Sequence, residues 1–192
     1  MSTAVQICSN ALISLGQKPI NSLPGNPDQA SSDRQLAAVN LYPTVRDSVL
    51  RSHPWNCATK RIVLSPDSAA PAFGYAYQFQ LPGDWLRTIS VGEEGCEDDF
   101  KIEGRKLLCD NSVVRLRYIW FNDNPATWDA LLIDAMTAAM AARLAVPVTG
   151  DQGKKVEFER ALLAVLKTAR AVDGQEVPPE TLGNFPLLAA RL

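Results

Sequence analysis

Apolar positions recur at helical spacing at both ends of the chain and at a spacing of two in the middle. In TAVQICSNALISL, residues 3–15, Val5, Cys8, Leu12 and Leu15 form one stripe, which predicts a helix. Ser2 or Thr3 can cap it, Gly16 can end it, and Pro19 confirms the stop. A turn-rich loop, NSLPGNPDQA, follows. Ser32-x-x-Gln35 has the form of a capping box, though Asp28 could open the helix earlier, and Tyr42, Val45 and Val49 carry the stripe of a second helix toward His53. Pro43 removes one donor inside it and predicts a kink or two consecutive segments.

From Lys60 to Phe121 the period changes to two. Tyr75, Tyr77, Phe79 and Leu81 alternate with Ala76, Gln78 and Gln80, and Val114, Leu116, Tyr118 and Trp120 with Arg115, Arg117 and Ile119. Shorter strands are expected in LRTISV, DFKIE and KLLCD, with turns at Gly104 and at Asp110-Asn111, making a small antiparallel meander. Helix resumes after Asn124-Pro125, which fit the N-cap and N1 positions. From about Thr127 to Ala145 it has no polar face, so it must be buried, by its own chain or by a neighbour. Pro147 and Gly150 are expected to stop it. A fourth helix spans about Asp151 to Val172 on the stripe Phe158, Leu162, Val165, Ala169 and Val172, with Gly174 at its end.

The expected fold class is α+β: a four-helix bundle with an inserted small antiparallel β domain and an extended C-terminal arm. The boundaries are 1–59 and 122–174 for the two halves of the bundle, 60–121 for the insertion and 175–192 for the arm. Pro178, Pro179 and Pro186 forbid a continuous helix in the arm. Its Leu182, Phe185, Leu187 and Leu188 are too apolar for a purely disordered tail, so it is expected to dock on something.

Composition narrows the chemistry. The 192 residues suffice for one domain with an insertion, and a net charge of −2 supplies no global field toward nucleic acid or anionic lipid. No membrane span is expected, because Arg143 interrupts the longest apolar stretch, and the N-terminus lacks the basic region of a signal peptide. Cys8, Cys57, Cys96 and Cys109 have no ligand-like spacing, and one histidine does not complete a usual zinc site with them. No phosphate-binding glycine loop or nucleophile elbow is present, so no catalytic residue, metal or cofactor is expected. The acidic stretch EEGCEDD, residues 93–99, lacks the alternate-ligand spacing of a calcium loop and is expected to be a solvated hairpin tip. Lys60, Arg61, Arg115 and Arg117 are candidates for phosphate contact, but the aromatic residues that would stack bases occupy the core face.

The stretch LRSHPWNCATKR, residues 50–61, holds the only histidine. Pro54 disfavours helix at the residue before it, so the second helix should end near His53. There, positive charge is favourable at the helix carboxyl end. Trp55 can pin the corner and Asn56 can turn the chain. His53, Pro54, Trp55 and Asn56 are therefore expected to be a structural corner.

The run VRDSVLRSHPWNCATKRIVL resembles a signature of phage head-to-tail adaptor proteins, the tail tubular protein A group of short-tailed phages. FGYAYQFQLPGDWLRTISV is similar to that family's next block, carried here by Phe79, Leu81, Pro82, Asp84, Leu86 and Arg87. EGRKLLCD, VRLRYI and the helix ending in LAVPVTG follow in similar order and spacing; Cys57 departs from the aromatic or apolar residue expected there. The resemblance covers most of residues 3–172. It implies a non-enzymatic virion protein at the head-tail junction, in the host cytoplasm during assembly. It implies a ring, usually of twelve copies, between the portal protein and the tail nozzle or tail tube proteins, with DNA passing through its lumen without sequence-specific binding.

On that basis Ala138, Ala139 and Ala142 are expected at the subunit interface. Leu182, Phe185, Leu187 and Leu188 are expected to dock on the portal or the adjacent subunit. The acidic tip is a candidate to face the lumen or the tail. The competing expectation is a DNA-binding or DNA-processing accessory protein.

Overall fold

A computed structural model describes residues 2–93 and 96–176. These residues form four α-helices and seven strands: α1 (Ala4–Ser14), α2 (Asp33–Arg51), β1 (Thr59–Leu64), β2 (Tyr77–Gln80), β3 (Trp85–Glu93), β4 (Cys96–Glu97), β5 (Phe100–Glu103), β6 (Lys106–Cys109), β7 (Val114–Trp120), α3 (Ala130–Thr149) and α4 (Gln152–Gln175). They fall into two compact units, a helical one of residues 2–57 with Asn122–Glu176 and a β one of Ala58–Phe121.

The helices start and stop on local chemistry. Thr3 Oγ1 accepts from the Gln6 backbone N–H at 3.2 Å, and Gln6 Oε1 accepts from the Thr3 N–H at 3.0 Å, a reciprocal box that opens α1. The box expected at Ser32 does not form. Gln35 is buried and turns back to the preceding loop, donating to the Ser22 carbonyl at 2.9 Å and accepting from the Ser31 N–H at 2.6 Å. Loop closure wins over local capping because it satisfies both ends of a buried amide. Pro43 leaves α2 a single helix from Asp33 to Arg51.

Asn124 and Pro125 open only a 3-10 turn, Pro125–Thr127; Asp129 caps α3 by accepting from the Leu131 N–H at 2.8 Å. α3 runs through Pro147 and ends at Gly150, whose φ of 71° is the left-handed conformation a helix terminus needs and a proline does not supply. Similarly, α4 passes Gly174.

α3 is the centre of the helical unit. α1, α2 and α4 each pack on α3 and only marginally on one another. The α+β class holds, but this is not a clear four-helix bundle. In a bundle each helix offers one apolar stripe to a shared core. Here α3 is apolar all round, and the others cover it from separate sides. Leu132, Ala135, Met136, Ala139, Met140, Ala141, Ala142, Leu144 and Ala145 are all buried. By length and composition α3 could cross a membrane, contrary to the expectation drawn from Arg143, but half of it is buried inside this unit, as in the core helix of a globular fold.

The β segment is not one meander. A four-stranded antiparallel sheet has the order β1-β7-β3-β4, and a three-stranded sheet the order β2-β6-β5. Both contribute to one core: Phe79, Leu107 and Cys109 from the smaller sheet meet Val91, Val114, Leu116 and Tyr118 from the larger. Gly104, with φ 60°, sits in the turn that pairs Glu103 with Lys106.

If α3 carries the helical unit, truncating Met136, which is fully buried, should lower stability by about 2–5 kcal/mol. Ile13→Ala, at a position 55 % exposed, should cost far less. Urea midpoints of the two variants measure this; equal midpoints would remove α3 from the centre.

Candidate functional site

Two polar joints, one in each unit, gather the side chains that the chain could use for chemistry. The first is the corner after α2. The helix ends at Arg51, earlier than Pro54 alone required, and Ser52 Oγ donates to the Val49 carbonyl at 2.8 Å. Trp55 is 1 % exposed and donates from Nε1 to the same carbonyl at 3.1 Å. Its ring meets His53 edge-on, with centroids 4.7 Å apart.

The partner of this corner is Asp173, near the end of α4 and buried. His53 Nε2 lies 3.1 Å from Asp173 Oδ2. The Asn56 backbone N–H donates to Asp173 Oδ1 at 3.0 Å, and Asn56 Nδ2 donates to the Asp173 carbonyl at 2.9 Å. The histidine and the carboxylate thus hold α4 against the corner. A third group, Asn122 Nδ2, donates to the Cys57 carbonyl at 2.8 Å and to Thr127 Oγ1 at 3.0 Å, fastening the two points where the chain leaves and re-enters the helical unit.

The second joint centres on Asp84. Lys60 Nζ reaches its Oδ2 at 2.7 Å and Tyr118 donates to its Oδ1 at 3.0 Å. Lys60 also stands 3.6 Å from the centroid of the Trp120 ring. Burial by itself would raise the carboxyl pKa; the hydrogen bonds from Lys60 and Tyr118 and the lysine charge outweigh it, and the value falls below the usual aspartate range. Tyr118 is pushed up to about 12, first by burial and then by its bond to the Asp84 carboxylate. Lys60, a candidate phosphate contact by sequence, is therefore engaged with Asp84 and Trp120.

No family model matches this chain, and no curated protein matches it.

The remaining candidates are dispersed. Burial pushes the Cys8 thiol up to about 12 and the Cys57 thiol up to about 11, so both stay protonated at neutral pH. Among the described residues no group of three or more histidine, cysteine or acidic side chains is placed to hold a metal ion. At the acidic stretch, Glu93 pairs with Arg115 at 3.1 Å, and both line a cleft of about 380 Å³ with Asp98, Asn111 and Ser112. Glu94 lies outside the described residues. So do Leu182, Phe185, Leu187 and Leu188 of the arm.

Of the three alanines expected at a subunit interface, Ala139 and Ala142 are 4 % and 5 % exposed and covered by their own chain; only Ala138 keeps a half-open surface. The residue that sequence reasoning missed is Asp173. It lies 120 positions from His53 and carries no local signal, because its neighbours read as an ordinary helical stripe.

Two measurements test these joints. Asp173→Ala strands the Asn56 N–H and should cost about 1–3 kcal/mol by urea unfolding; an unchanged midpoint would mean the corner does not need α4. The second is a pH profile. Tyr118 has a folded pKa above that of a free tyrosine, so its contribution is whole below about pH 10 and is lost as pH rises toward 12. Tyr118→Phe should flatten the fall in stability over that window, leaving the part due to Tyr42, Cys8 and Cys57, which burial also raises. Asp84 acts at the other end: its contribution is present above about pH 3.9 and lost as pH falls through its lowered value.

Proposed function

We propose that this chain is a structural virion protein, a ring-forming head-to-tail adaptor that joins a portal protein to tail nozzle or tail tube proteins and lets DNA pass. The observation that carries this reading is the use made of the residues that resemble the adaptor family. His53, Trp55 and Asn56 of the first block hold α4. Phe79 and Leu81 of the second lie in the β core, and Asp84 ties Lys60 to Tyr118. Side chains that an enzyme would present to a substrate are committed to holding elements together, as a load-transmitting ring subunit requires.

Within this reading the lateral contact moves from α3 to α4. Ala139 and Ala142 are already used inside the subunit, whereas the 24-residue α4 has only Ala169 and Asp173 buried. Val156 and Leu163, seven positions apart and so on one side of α4, are 45 % and 69 % exposed. A closed heterologous ring places one such face against a different face of the next copy. The arm, residues 175–192 by sequence, supplies the portal contact through Leu182, Phe185, Leu187 and Leu188, although α4 itself extends through Gln175.

Leu163→Glu should fold with a nearly unchanged melting midpoint and fail to form rings, judged by mass in solution and electron microscopy with the portal protein of the same virion. Ala139→Glu should instead unfold the subunit. Deleting residues 177–192 should leave a folded subunit that no longer captures that portal. Rings from Leu163→Glu would displace the contact from α4; a wild-type chain that never assembles, with or without portal, would end the adaptor reading.

A further inference from the structure

The strand register places four arginines together in a way that no single stretch of sequence displays. β7 is flanked by β1 and β3. In the ladder, Arg61 is directly opposite Arg117, and Arg117 is opposite Ser90; Val63 is opposite Arg115; Thr59 and Arg87 are both opposite Ile119. Directly paired residues share a face. Val114, Leu116 and Tyr118, the alternate residues of β7, belong to the core. Arg61, Arg87, Arg115 and Arg117 therefore lie on the face turned away from it. Ile119 is buried, so the open part is formed by the rows of Arg61 and Val63. Arg61 and Arg115 are exposed, Arg87 and Arg117 half-buried.

This grouping works against the fold. Like charges opposite each other on adjacent strands are destabilising, and the chain as a whole is acidic, at −2. Glu93 pairs with Arg115, and Asp98 stands by the same cleft, both at one end of the face. Arg61 makes no ion pair among the described residues.

We propose that the outward face of the β1-β7-β3 sheet binds the phosphate backbone of duplex DNA. Several arginines on neighbouring strands present planar forks suited to phosphate oxygens, and Ser90 lies in the row of Arg61 and Arg117. The composition argues against a protein partner. Protein interfaces set aromatic and arginine anchors in a desolvated apolar centre, and on these rows the exposed apolar side chain is Val63, which does not supply one. It also argues against a single strand, whose binding needs rings for base stacking. The aromatic residues of this sheet, Trp85, Tyr118 and Trp120, are on or against the core. Binding is through the backbone and independent of base sequence, and it holds whether or not the chain forms a ring.

The test uses the full chain and a fluorescein-labelled 20-base-pair duplex of mixed sequence, with affinity read by anisotropy between 50 and 200 mM salt. The expected dissociation constant is on the order of 10⁻⁶–10⁻⁴ M, weakening with salt. Arg61→Ala with Arg115→Ala should reduce affinity at least about tenfold and lower the salt slope by about 2. Glu93→Gln removes the carboxylate that competes for Arg115 and should tighten binding several-fold. Circular dichroism checks that the variants fold. Lys167→Ala with Arg170→Ala, on α4, should change little. No binding at 50 mM salt, equal loss in the α4 variant, or tighter binding of poly-L-glutamate or single-stranded DNA than of the duplex would each overturn the proposal.

Discussion

A helix with no polar side to offer water has to be enclosed, and α3 is such a helix. Each of the other helices meets that demand from a different direction, which is why the unit has a hub rather than the shared central core of a bundle. The consequence reaches the surface. Because α3 absorbs the apolar stripes of α1, α2 and α4, five of its alanines, Ala135, Ala139, Ala141, Ala142 and Ala145, are buried within one chain. α4 covers α3 along one side only, and its other side remains outward with Val156 and Leu163 exposed.

Carboxylates do the long-range fastening. Asp173 bridges more than a hundred residues to His53 and Asn56, and Asp84 bridges β1 and β7 through Lys60 and Tyr118. A carboxylate withdrawn from water, fully at Asp173 and partly at Asp84, is costly unless its oxygens are occupied. Here both oxygens of each have partners, so each joint is specific as well as stable. The same occupancy bears on function. His53 and Lys60 are the side chains that look most reactive in the sequence, and both are engaged in these joints.

The larger sheet separates two roles by strand parity. Val114, Leu116 and Tyr118 face the core that both sheets share, and the intervening Arg115 and Arg117 face away. One alternation thus builds the β unit and, on its other side, concentrates positive charge in an acidic chain. The adaptor reading and the arginine face draw on different observations, the first on what the family-like residues hold together and the second on strand register.

Periodicity was enough to locate the four helices and the main strands, because amphipathic spacing and the switch from period 3.6 to period 2 are local properties. The corner at His53–Asn56 was legible for the same reason: a proline after a helix and a large aromatic act within a few residues. Helix ends were less legible. Gln35 turned to Ser22 rather than to its own cap, and Asp129 rather than Asn124 opened α3, since neighbours distant in sequence decide which polar group is free to cap. The hub arrangement, the division of the strands into two sheets, the role of Asp173 and the meeting of Arg61 with Arg117 belong to tertiary structure alone. A sequence states which side of an element is apolar; only packing decides which other element covers that side, and therefore which polar groups are brought face to face.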